Sequence, residues 1–184
     1  PIDLGLLAKL PNAALVVDAD GHVCEPADLW ETGLPSSMAD QGIRLRWNEA
    51  TGFDECWVED RMATDRGLVG LGNAGESFAE FGKGRHYESL NPAGFDPHER
   101  VKVLDAEGID MAVLYPGLGL KLGAITDGPL AVASCAVYND WIAEFAAAAP
   151  DRLVGVGALA LQDPVAAAEE VRRMPGLGLK AGFA

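Results

Sequence analysis

The sequence predicts an α/β domain in which a parallel sheet is covered by helices. Short apolar runs at 110–116 (DMAVLYP), 152–159 (RLVGVGAL) and 177–184 (LGLKAGFA) alternate with helical stretches, the pattern of successive βα units. The runs lack strict apolar–polar alternation, as strands buried on both faces do. Each intervening helical stretch opens on an aspartate with a proline one or two residues later, at Asp96-Pro97, Asp127-Gly128-Pro129 and Asp163-Pro164. With a first strand at 14–20 the expectation is about four strands and three or four helices.

The elements follow in order. Ala14 to Val17 are apolar and run into Asp18, Asp20 and His22, so the first strand ends in polar residues. Residues 41–94 are irregular, rich in glycine and charge, and read as an insertion. Its glycines at 67–75 form no phosphate loop, because the Lys-Ser/Thr ending is missing. At 96–108, Asp96 can cap a helix, Pro97 suits its first position, Glu99 completes a capping-box spacing and Gly108 gives a left-handed stop. The strand 110–116 follows, ending at Tyr115-Pro116-Gly117. The next helix runs from near Asp127 to about Ala148, with Leu130, Val137, Trp141, Ile142 and Phe145 at roughly helical spacing. Asn139 and Asp140, in its middle, are expected to be structural. Arg152 opens the third strand, at the end where barrel logic places stability. A helix from Asp163 closes at PGLG, and 177–184 reads as a fourth strand.

Composition excludes several function classes. The 184 residues are 49% hydrophobic, enough for one domain with a core. A formal charge of −14 repels phosphate backbones and anionic membranes, so neither nucleic acid nor membrane is an expected partner. No apolar run approaches the roughly 18 residues of a membrane span, and the N-terminus does not read as a signal peptide. Cys24, Cys56 and Cys135 form neither a disulfide framework nor a metal knuckle, which fits a reducing cytoplasm.

The chemistry concentrates at 18–26. Residues two apart on a strand share a face, so Asp18, Asp20 and His22 would point together if the strand persists. The carboxyl end of a strand in such folds is where ligands sit. Asp20 and His22 make a half-shell for Zn²⁺ or a similar ion; alternatively, the stretch is a solvated loop in which Asp18 or Asp20 caps a turn. Cys24 is expected to be buried or idle, and His98 to be a surface residue.

The stretch VVDADGHVCEPADLW resembles the opening of the amidohydrolase-2 family, the metal-dependent group related to aminocarboxymuconate semialdehyde decarboxylase. The resemblance continues through GFDPHERVKVLDAEGIDMAVLYPGLGL, AVYNDWIAEFAAAAPDRLVGVGALALQDPVAAAEEVRRM and GLGLKAGF, so it covers nearly the whole chain as a single domain, with 41–94 the least specific part. It implies a partial (β/α)8 TIM barrel of about the first four βα units, with the 41–94 insertion lid-like over the mouth. It implies that Asp20 and His22 hold a divalent metal, most naturally zinc with manganese possible, and that the complete enzyme is a hydrolase or a non-oxidative decarboxylase of small carboxylated or cyclic substrates. His86 in the insertion and Tyr115 at the mouth are its candidate substrate contacts. The family's remaining ligands, a histidine near the fifth strand and an aspartate near the eighth, fall beyond Ala184, as does its catalytic histidine, so no catalytic residue is assigned here. The expectation is then a truncated, inactive portion that holds metal weakly or not at all. Its open edges would pair it with itself or with a second half-barrel. The rival expectation is a catalytically silent half-barrel acting as a subunit or association module.

Overall fold

The structure is a computed structural model that describes residues 15–64 and 84–184. The glycine run at 67–75 and the start of the first strand at Ala14 lie outside the described residues. In chain order the elements are β1 (Val17–His22), α1 (Leu29–Gly33), β2 (Arg44–Asn48), β3 (Phe53–Val58), β4 (Arg61–Thr64), α2 (Pro97–Glu107), β5 (Met111–Tyr115), α3 (Gly128–Ala147), β6 (Leu153–Ala158), α4 (Pro164–Arg173) and β7 (Ala181–Phe183). One sheet has the order β1-β5-β6-β7 and every pairing in it is parallel. Strands adjacent in that sheet are linked through helices, as stacked βα units require.

The caps explain where the helices start. The Asp96 carboxylate accepts from the His98 and Glu99 amides at 2.7 and 3.4 Å. Asp127 accepts from Leu130 at 2.8 Å, and Asp163 from Val165 and Ala166 at 3.1 and 3.0 Å. Gly108 ends α2 at φ 69°. The capping box does not close, because Glu99 pairs with Lys102 at 2.6 Å while the Asp96 amide is already taken by the Pro92 carbonyl.

Two expectations about strands are corrected. Residues 174–177 form a 3-10 turn, so the last strand is confined to Ala181–Phe183. Burial on both faces holds for β6, where all but Val154 are buried, and fails for β5. In β5, Ala112 and Leu114 are buried while Met111, Val113 and Tyr115 are half-buried. The buried face packs with the helices in one core that includes Leu104, Leu130, Tyr138, Ile142 and Phe145.

The segment read as irregular holds a three-stranded antiparallel sheet, β2-β3-β4. Its β3–β4 turn is fastened to the start of α3. The Glu59 carboxylate, on a residue at φ 52°, accepts from the amides of Thr126 and Asp127 at 2.8 and 3.0 Å and from the Thr126 hydroxyl at 2.8 Å. Buried Trp30 of α1 donates to the Ser134 carbonyl of α3 at 3.0 Å. Arg152 ties the amino end of the sheet, donating to Asp105 at 2.7 Å and to the Asp110 carbonyl at 2.6 Å. No helix among the described residues is long and apolar enough to cross a membrane.

Candidate metal centre

The centre begins with an irregularity in β1. Val17 and Asp18 pair with Met111 and Ala112, and Gly21 and His22 with Leu114 and Tyr115. Three steps along β1 match two along β5, so Ala19 and Asp20 together oppose Val113 in a bulge. The bulge reverses the alternation. Asp18 shares the face of Ala112, and His22 shares the face of Tyr115, so the expectation that Asp18, Asp20 and His22 point together is corrected. Asp18 instead accepts from the Asp20 amide at 3.1 Å and serves the bulge itself. Gly21 is needed there, because a Cβ would sit 2.8 Å from Asp18 Oδ2.

His22 ends β1 with its side chain 25% exposed, while the Asp20 side chain is 90% exposed. His22 Nδ1 lies 2.7 Å from the Pro116 carbonyl oxygen. A carbonyl only accepts, so Nδ1 carries a proton, and in the neutral imidazole Nε2 then keeps its lone pair. Nε2 lies 3.9 Å from Asp20 Oδ1. One ion with bonds of about 2.0–2.2 Å to each donor spans such a gap. An imidazole nitrogen with a carboxylate oxygen suits zinc or manganese. The Arg100 guanidinium donates to the His22 carbonyl. Among the described residues no group of three or more His, Cys, Asp or Glu side chains gathers around one point, so Asp20 and His22 meet at the end of β1 as a pair.

Tyr115 is half-buried beside His22, with ring centroids 6.2 Å apart. His86 stands elsewhere. Its ring stacks on Trp47 of β2 at 3.9 Å, and its Nδ1 is 3.5 Å from Asp54 of β3. No described contact links it to Asp20, His22 or Tyr115. Cys24 is buried against Gly94, and burial pushes its thiol up to about 11, so it is protonated and packed at neutral pH. His98 is exposed at the start of α2.

Sequence reasoning missed Glu25. It is 0% exposed. Its Oε1 accepts from the amides of Gly117 and Gly119 at 3.0 Å each, and its Oε2 from Leu118 at 2.7 Å. Burial pushes its carboxyl up to about 7, against the downward pull of those amides. The signal available was the glycine pair in Pro116-Gly117-Leu118-Gly119. Gly117 permits a close approach, since a Cβ there would run into the Val23 carbonyl.

Comparison with known proteins shows the family and the fold. A family model described as Amidohydrolase matches residues 17–182. The gamma-resorcylate decarboxylase of a Rhizobium species is 36% identical over 96 residues, which is 52% of this chain and 29% of that enzyme. The enzyme of the same name from Rhodococcus jostii gives the same figures, 36% over 96 residues. An amidohydrolase from Mycobacterium avium subsp. paratuberculosis superimposes with a TM-score of 0.70 at 21% identity, over 91% of this chain and 48% of that one. The 5-carboxyvanillate decarboxylase of Novosphingobium aromaticivorans, solved with bound manganese and a nitrobenzoic acid ligand, gives a TM-score of 0.56 at 21% identity, over 94% of this chain and 42% of that one. At such identity the solved structures show a shared fold. The chain spans less than half the length of these relatives.

Proposed function

The chain belongs to the amidohydrolase family, with its four parallel strands forming part of that family's (β/α)8 barrel, and on that premise we propose that it supplies Asp20 and His22 as metal ligands to a divalent-metal-dependent decarboxylase of small aromatic carboxylic acids. The observation that carries this reading is the free Nε2 of His22, 3.9 Å from Asp20 Oδ1 at the carboxyl end of β1. Similarity to gamma-resorcylate decarboxylases favours decarboxylation over hydrolysis. A divalent ion held there supplies Lewis acidity and a template for a substrate carboxylate. Manganese in the Novosphingobium relative supports that ion beside zinc.

The chain's own residues bind and orient. Pro116 fixes the tautomer of His22, and Tyr115 offers a phenol ring next to the imidazole for an aromatic acid. His86, on its Trp47 platform, reaches substrate only if the 84–90 segment closes toward the mouth. Catalytic zinc sites usually use three protein ligands, so a chain contributing two holds its ion weakly. The buried free thiols of Cys24, Cys56 and Cys135 support a reducing cytoplasm.

The test is binding of a hydroxybenzoate to the chain, by calorimetry, with and without Mn²⁺. Binding that requires Mn²⁺ and is lost in Asp20→Ala/His22→Ala supports the reading; binding that ignores Mn²⁺ contradicts it. A second reading, the association module, is favoured by apolar side chains left open among the described residues, Val17 at 42% and Leu161 at 61% exposure. Sedimentation distinguishes a 19.3 kDa particle from one holding two chains.

A further inference from the structure

We infer that Glu25 is the positioning residue for the His22 imidazole, acting through the peptide bond between Pro116 and Gly117. This rests on the metal-centre reading for its purpose, though not for its geometry.

The geometry is a relay. His22 Nδ1 donates to the Pro116 carbonyl at 2.7 Å. The amide on the other side of that same peptide unit, Gly117 N–H, donates to Glu25 Oε1 at 3.0 Å. A trans peptide is planar, with its C=O and N–H pointing in opposite directions. Holding the N–H therefore aims the carbonyl. Leu118 and Gly119 donate to the same carboxylate at 2.7 and 3.0 Å, so the loop after Pro116 cannot swing about one bond. The other end of the relay is equally fixed, because Val23 N donates to the Tyr115 carbonyl at 3.0 Å and Glu25 follows two residues later.

A mere loop fastener need not be charged. Burying a carboxylate is costly, and Glu25 makes no ion pair with another described residue. What a negative charge adds is polarisation. An anion on the Gly117 N–H makes the Pro116 carbonyl a stronger acceptor, since hydrogen bonds in series reinforce one another. A stronger acceptor holds the Nδ1–H tautomer and raises the basicity of Nε2, the atom facing Asp20. Carboxylates that contact a ligand histidine directly do the same work, and removing such outer partners typically costs 10–100-fold in metal affinity. Here the carboxylate works through one intervening peptide.

The test reads the tautomer before it reads metal. Imidazole nitrogen chemical shifts of ¹⁵N-histidine-labelled, metal-free chain are recorded at pH 8, where Glu25 is ionised, for the wild type, Glu25→Gln and Gly119→Ala. In the last variant a Cβ would lie 2.9 Å from Glu25 Oε1 and 2.8 Å from the Pro116 Cβ, so it disturbs the same clamp from the opposite side. The wild type should hold His22 as a single Nδ1–H tautomer, and both variants should show a mixture while circular dichroism stays native. Mn²⁺ affinity should fall about 10–100-fold in each. Folded variants that keep the wild-type tautomer overturn the inference, as does a wild type with no tautomer preference. If Glu25→Gln does not fold, Gly119→Ala decides; if neither folds, Glu25 serves the fold and the inference is overturned. If the tautomer responds but the wild type binds no Mn²⁺, the relay stands and the metal reading fails.

Discussion

Replacing Asn139 by alanine should cost this domain about 3–4 kcal/mol, and the structure says why. Asn139 is fully buried in α3 and grips Ala158, the last residue of β6. Its Oδ1 accepts from the Ala158 amide at 2.6 Å, and its Nδ2 donates to the Ala158 carbonyl at 3.0 Å and to Glu170 at 2.6 Å. The alanine variant strands both backbone groups of Ala158. Each stranded buried group costs about 1–3 kcal/mol, so the pair costs about 2–6 kcal/mol. Glu170 keeps its hydrogen bonds to Arg173 and adds little to that sum. Water entering beside Glu170 trims the upper end. At about 2–4 °C per kcal/mol for a chain of this size, the melting temperature should drop by about 6–16 °C. The assay is urea unfolding, with the midpoint displaced and the slope unchanged. Asn139→Asp keeps the acceptor but sets a carboxylate against Glu170, so it should be comparably damaging at neutral pH and recover as the pH falls. A loss below 1 kcal/mol in the alanine variant would refute the reasoning.

Other perturbations give separate expectations. The amides of Asp127 and Thr126, with the Thr126 hydroxyl and Arg61, hold the Glu59 carboxyl down to about 2. The folded state thus binds this proton less readily than the unfolded one, so the stabilisation is present above about pH 4.5 and is lost as the pH falls toward 2. Glu59→Gln should flatten that part of an acid-unfolding curve. Trp30→Phe removes one buried hydrogen bond to Ser134 and leaves a cavity where the larger ring sat, so in a denaturant titration it should cost more than the ~0.5–1.5 kcal/mol of the hydrogen bond alone. Gly117→Ala, whose Cβ meets the Val23 carbonyl, should destabilise far more than alanine at Gly123, which has open space around it; thermal melts of the two compare them directly.

How much of this was written in the sequence depends on the range of the interaction. The three Asp-Pro helix starts were legible because a cap is satisfied within three residues, and all three aspartates accept the bonds their spacing implies. The parallel order was legible because each strand pairs with the next βα unit. The bulge at Ala19–Asp20 was not, because it is a mismatch with a strand 93–94 residues away, and strand periodicity wrongly grouped Asp18 with His22. Glu25 stands before a proline and has no charged partner nearby in the sequence. Its three donors sit at 117–119, more than 90 residues away, where the glycine pair hints at a close approach but not at its partner. Residues 44–64 looked irregular because their density of charges masks an antiparallel sheet whose pairing is set by turns. His86 carried no hint of its stack on Trp47. Asp20 and His22 themselves were visible as a spaced pair, and the structure adds the orientation that the spacing lacked.

The most direct measurement is a Mn²⁺ titration of the chain followed by the electron paramagnetic resonance signal of free Mn²⁺, with Asp20→Ala/His22→Ala in parallel. The account predicts weak binding that saturates at one ion per chain and disappears in the double variant. Identical titrations for the two proteins would contradict it.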